Sequence, residues 1–146
     1  MFYKPYGDYQ VGETWTSFGR TITETDVVSF AGLSGDFFSL HIDDEYARTT
    51  QFGRRIAHGM LILSISTGLL HFEPGIIAAF YGIDHLRFTG PTFIGDTVHV
   101  KATITDLQDR RENQGVVTIL HEIIKQTGEI VITGNLKLLL NRVNYA

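Results

Sequence analysis

The segment SGDFFSLHIDDEYA, Ser34 to Ala47, places a carboxylate at Asp36 and an imidazole at His41, with Phe37 and Phe38 between them. A carboxylate and an imidazole held together can share one water molecule and transfer protons near neutral pH, because imidazole titrates in that range. The spacing alone leaves a second reading open, in which Gly35 and Asp36 form a turn and His41 is a core histidine bonded to a backbone carbonyl. Phe has no polar work to do in a loop. The two rings either pack beneath it or line an apolar pocket that keeps bulk water from the pair. Arg54 and Arg55 are adjacent cations that could meet phosphate groups, or simply form a solvated surface. The chain has 6 His, but none forms a close ligand pair in the sequence and Cys is absent, so no metal site is expected.

Positioning these groups requires a scaffold, and its pieces are readable on both sides of the segment. In TETDVVSFAGL, Thr23 can cap a helix and Asp26 supplies a carboxylate three residues later, with Gly32 after the apolar residues; this predicts a short helix over about 24–31. Asp43 reads as the cap of a brief helical turn through Tyr46 and Ala47. Asp36 to His41 is then a loop between two helical pieces. From Ala57 to His71 the apolar residues occupy every side of a helix, so that helix must be wrapped by something. Beyond residue 76 the chain reads as four strands broken at TGPTFIGD, DRRENQG and KQTGE. In TVHVKATI, Val98, Val100, Ala102 and Ile104 alternate with Thr97, His99, Lys101 and Thr103, the period of a half-buried strand. TWTSFGRTI near the start could add an edge strand, which makes an α+β fold with an antiparallel sheet curled around one apolar helix.

At 146 residues and 43% hydrophobic content, residues 1–146 read as a single domain. A net charge of -4 offers no basic field for a nucleic-acid backbone, so nucleic acid is not expected as a partner. GMLILSISTGLL is the longest strongly apolar segment, and it is shorter than the roughly 20 residues a membrane-spanning helix needs. The absence of Cys fits a reducing compartment, and the opening MFYKPYGDYQVGE lacks the pattern of a signal peptide; a cytoplasmic protein is expected.

The order of helix, loop, AHGM helix and antiparallel strands, together with SGDFFSLHIDDEYA and FGRRIAHGML, resembles the MaoC-like hydratases of the hotdog fold, the (R)-specific enoyl-CoA hydratases and their relatives. The resemblance covers nearly the whole chain. Its most specific part is a loop pattern of Gly-Asp, three further residues, Leu and His, matched here by Gly35, Asp36, Leu40 and His41. The family usually has Asn and Pro where this chain has Phe38 and Ser39, so the catalytic pair is retained while an amide and a rigid bend beside it are replaced.

What the resemblance implies is a hydro-lyase that adds water to an enoyl thioester or removes it from a 3-hydroxyacyl thioester. Asp36 and His41 would be its acid and base, with Asp36 activating the water and His41 protonating carbon two. Gly59, at the start of the apolar helix, would offer its backbone N–H as an oxyanion hole for the thioester carbonyl. Phe37 and Phe38 would line the acyl pocket, Arg54 and Arg55 would meet the phosphates of coenzyme A, and Thr67 would bond the catalytic loop or the substrate. His58 reads as a structural residue at the helix start. Coenzyme A enters as the substrate's carrier, with no further cofactor. A thioesterase on the same fold and a non-catalytic acyl-CoA-binding module are the rival functions. An open sheet leaves a bare edge strand, and bare edges invite pairing, so a homodimer is expected.

Overall fold

Thr23 starts the first helix as its neighbours require. Its hydroxyl accepts from the Asp26 N–H, and the Asp26 carboxylate accepts from the Thr23 N–H, capping α1 (Glu24–Ser34) reciprocally. In the computed structural model, which describes residues 1–143, this helix runs past the expected stop at Gly32. It ends instead at Gly35, whose φ of 77° is the left-handed conformation that glycine adopts without a Cβ clash, and whose N–H donates to the Ala31 carbonyl. Two further short helices follow, α2 (Ser39–Ile42) and α3 (Asp44–Arg48). The expected loop from Asp36 to His41 is therefore half helical, since His41 sits inside α2. Asp43 caps α3 as expected, its side chain accepting from the Tyr46 N–H.

The long apolar helix is α4 (Gly59–Leu69). It buries Leu61, Ile62, Leu63, Ile65, Ser66 and Leu69, but Met60, Ser64 and Gly68 remain exposed on a line four residues apart. The helix is thus packed on most of its surface and open along one seam, where the sequence predicted wrapping on all sides.

Six strands form one antiparallel sheet: β1 (Thr14–Thr16), β2 (Arg20–Thr21), β3 (Ile77–Phe88), β4 (Thr97–Arg111), β5 (Gln114–Lys125) and β6 (Ile130–Asn141). The order is β1-β4-β5-β6-β3, with β2 also on β4, so β3 is the long strand at an open edge. The alternation expected in β4 holds: Val98, Val100, Ala102 and Ile104 are all buried against the core, which they share with Leu61, Ile62, Ile65, Ile119, Ile123 and Leu136. This is the hotdog arrangement that the sequence predicts, a long antiparallel sheet with one apolar helix against it. Among the described residues, no helix is long and apolar enough to cross a membrane.

Candidate active site

The chain builds the site by fastening the 36–41 segment to residues 55–58, just ahead of α4. The Ile56 N–H donates to the Leu40 carbonyl at 3.3 Å, and the Ile56 carbonyl bonds His41 Nδ1 at 2.8 Å. His58 Nε2 lies 2.9 Å from the backbone carbonyl of Asp36. A carbonyl can only accept, so each of these ring nitrogens carries a proton and donates it. The two tautomers follow: neutral His41 keeps its lone pair on Nε2, and neutral His58 keeps its lone pair on Nδ1, which is buried without a partner.

The rings of His41 and His58 stack at 3.8 Å, and Phe30 meets His58 edge-on at 5.0 Å. Burial pushes the His41 imidazole below its ordinary value, the neighbouring His58 adds to that, and the Ile56 carbonyl and the Asp36 carboxylate oppose it. His41 is therefore neutral at neutral pH, with an open lone pair at Nε2. Asp36 is exposed, and its carboxylate accepts from the Phe38 N–H at 3.2 Å, an Asx turn that fixes the bend of the loop. Asp36, His41 and His58 offer ligating atoms that all lie within 4.8 Å of one another. The fold brings His41 and His58 together across 17 residues of sequence, so the sequence spacing used to argue against a metal site does not describe the folded chain. One nitrogen of each ring is committed to a carbonyl, which leaves His41 Nε2 and His58 Nδ1 as the open nitrogens of the cluster.

Gly59 is the first residue of α4, and no side chain caps that end. Its N–H thus lies at the positive pole of an 11-residue helix with no cap competing for it. A Cβ at this position would fall 2.6 Å from the Phe88 ring, so only glycine fits beneath that ring. Gly59 also lines a hollow of about 500 Å³ with Phe52, Met60, Phe88 and the Thr89–Thr92 segment. Asp36 and His41 do not line this hollow. His58, which bonds the Asp36 carbonyl, is the residue before Gly59 in the chain.

Other expected site residues fall elsewhere. Arg55 is mostly buried and forms a two-pronged pair with Glu24 at 2.8 and 2.9 Å, a bond to Asp44 at 2.7 Å and a longer one to the His41 carbonyl at 3.4 Å. These bonds hold its guanidinium charged and raise its pKa. A guanidinium already shared by two carboxylates has little left for phosphate, so Arg55 is corrected from a coenzyme A contact to a clamp joining α1, α3 and the loop. Arg54 is exposed and lies 3.9 Å over the Phe93 ring, with no ion pair to a carboxylate among the described residues. Thr67 does not bond the catalytic loop: its hydroxyl donates to the Ser64 carbonyl of its own helix at 2.8 Å, and the residue lines a second cavity.

Phe37 and Phe38 are more than half exposed in the single chain, at 57% and 53%, so they are not buried walls. Phe38 stands edge-on to both His41 and Tyr46, at 5.9 and 6.0 Å, and so shields one side of the imidazole. The sequence did not reveal His58's bond to Asp36 or the pairing of Ser66 with His121. Only the Ser66 position on an otherwise apolar helix could have signalled a buried polar partner.

Residues 10–126 match the MaoC-like domain family model. The (R)-specific enoyl-CoA hydratase of Aeromonas caviae is 40% identical over 110 residues, which cover 75% of this chain and 79% of that protein. Protein MaoC of Klebsiella aerogenes is 39% identical over 104 residues, 70% of this chain, but the chain spans only 31% of that longer protein. Among solved structures, an Archaeoglobus protein described as a monoamine oxidase regulatory protein superposes with a TM-score of 0.90 at 40% identity, covering 98% of this chain and 99% of its own.

Proposed function

The chain belongs to the MaoC-like domain family, and from that membership and the site's geometry we propose that it hydrates enoyl thioesters and dehydrates 3-hydroxyacyl thioesters. The observation that carries this reading is the tautomer of His41. With Nδ1 donating to Ile56, the only open nitrogen is Nε2, which holds the lone pair, and the ring lies with one nitrogen within 4.8 Å of an Asp36 carboxylate oxygen.

In hydration, Asp36 orients a water by accepting one of its hydrogens, and His41 Nε2 takes the other as a proton. The water oxygen bonds carbon three, and the displaced electron pair moves onto the thioester oxygen, which the Gly59 N–H stabilises at the helix pole. The new imidazolium, held beside the Asp36 carboxylate, then returns its proton to carbon two. One proton leaves water and one arrives on carbon, so the step balances; dehydration runs it in reverse. This gives His41 the base role that the sequence expectation gave to Asp36 and keeps His41 as the donor to carbon two, because a neutral imidazole whose Nδ1 proton is held by Ile56 must take a proton at Nε2 before it can give one.

Three further parts of the reading rest on the same site. Arg54, with no ion pair to a carboxylate among the described residues, is the remaining cation for coenzyme A phosphates. A homodimer would form through β3, an edge strand that carries the half-exposed Phe80, Tyr81 and Phe88, and would cover rings that a single chain leaves in water. A cytoplasmic location goes with coenzyme A thioesters as substrates. Crotonyl-CoA tests the reaction: loss of enoyl absorbance supports hydration, release of free thiol points to a thioesterase, and binding with neither supports an acyl-CoA-binding module. Sedimentation at micromolar concentration tests the dimer, and a monomer there counts against it.

A further inference from the structure

Further along α4 from Gly59, a second cavity of about 200 Å³, sharing no lining residue with the first, lies between the helix and the sheet. Its walls include Leu63, Phe80, Ile83, Leu86 and Leu136 and, beside the more exposed Ser64 and Thr67, the polar side chains of Ser66 from α4 and His121 from β5. Both are buried, with Ser66 at 0% and His121 at 3% exposure. Ser66 Oγ lies 2.6 Å from the Leu63 carbonyl and 2.9 Å from His121 Nε2. The hydroxyl has one proton, and the carbonyl can only accept, so that proton goes to Leu63 and His121 Nε2–H donates to Ser66. His121 Nδ1 is then a lone-pair acceptor, buried with no donor. A buried acceptor without a donor is costly, so Nδ1 is a seat for a hydrogen-bond donor.

The space at the imidazole is itself built into the sheet. His121 pairs in register with Gly134 on β6, so the side chain that would stand beside the imidazole on the same face is absent. A Cβ at Gly134 would come within 3.1 Å of Ile83, which leaves no room for a larger residue.

We propose that this inner cavity receives an acyl chain carrying a hydrogen-bond donor, a hydroxyl in the simplest case, with His121 Nδ1 as its acceptor; the proposal rests on the thioester reading above. Ser66 is seven residues beyond Gly59 on α4, so the polar seat lies roughly 10 Å along the helix from the thioester oxygen. An extended chain covers that distance in roughly eight carbons, given a C–C bond of about 1.5 Å. A site built to hydrogen-bond a hydroxyl discriminates against a chain that lacks it, because the acceptor then stays unpaired.

The test uses three coenzyme A thioesters: trans-2-octenoyl, the same chain with a hydroxyl on its penultimate carbon, and the same chain with a ketone there. The wild type should turn over the hydroxylated chain with kcat/KM about tenfold or more above the plain chain, and His121→Leu should bring that ratio to one or below. Equal rates in the wild type would mean that a water satisfies His121 and would overturn the proposal. An unchanged ratio in His121→Leu, or a preference for the ketone, would overturn it as well. If His121→Leu does not fold, the wild-type ratio decides alone. Crotonyl-CoA, too short to reach the seat, reads the hydratase function separately. Should no enoyl thioester be hydrated, calorimetric binding of the same three thioesters decides: tighter binding of the hydroxylated chain supports the seat, and equal binding overturns it.

Discussion

Acid should weaken this fold through His121 in a window that can be stated in advance. Burial pushes its imidazole down to about 4, from an ordinary value of 6.5. Between those values the unfolded chain binds a proton at this residue and the folded chain does not, so stability rises with pH across the window and is lost as pH falls below 6.5 toward 4. At about 1.4 kcal/mol per pH unit, the gap corresponds to about 3 kcal/mol, fully present above pH 6.5 and withdrawn near pH 4. Carboxylates also titrate there, so the informative quantity is a difference of differences. Denaturant unfolding of the wild type and of His121→Leu at pH 7.5 and 4.5 should show a loss on acidification that is larger in the wild type by about 2 kcal/mol or more. Equal acid losses in the two proteins would show that His121 is hydrated or charged in the folded state and would refute the burial argument.

Three further outcomes follow from individual contacts. Arg55→Met should loosen the catalytic loop, lowering unfolding free energy by about 1 to 3 kcal/mol and kcat more than the KM for coenzyme A thioesters; a rise in KM alone would restore the phosphate-binding role. Gly59→Ala should cut hydration at least tenfold by driving a methyl group into the Phe88 ring, with partial recovery in a Gly59→Ala/Phe88→Leu double variant, and normal turnover in the single variant would remove Gly59 from the oxyanion site. Phe38→Asn should cost less than about 1.5 kcal/mol in monomer stability, since the ring is already 53% exposed, and should shift the pH dependence of hydration through loss of the shield on His41; a larger stability loss would mean that a partner chain buries the ring.

What the sequence revealed and what it concealed divide along chain separation. The Thr23–Asp26 cap, the Asp43 cap and the alternation from Val98 to Ile104 are local, and each is present in the structure. The end of α1 was misplaced because a glycine stops a helix only where the backbone turns left-handed, which Gly35 does and Gly32 does not. A four-residue helix such as α2 is too short to show periodicity, so the helical setting of His41 was invisible. The loop pattern of Gly35, Asp36, Leu40 and His41 pointed to a segment where the fold gathers Asp36, His41 and His58 within 4.8 Å. The groups that complete it come from far along the chain: His58 from 22 residues past Asp36, and Arg55 tied to Glu24 across 31. Ser66 and His121 are 55 residues apart, and only the packing of α4 on β5 could bring them together.

The most direct test of the catalytic assignment is crotonyl-CoA hydration by Asp36→Asn, His41→Gln and the double variant, with circular dichroism to verify folding. If one water is shared between the two side chains, each single variant should fall about 10²-fold or more. The double variant should fall no further than the worse single one, as expected of groups that act as a unit. Near-normal turnover in either single variant, or losses that multiply in the double variant, would contradict a shared water between Asp36 and His41.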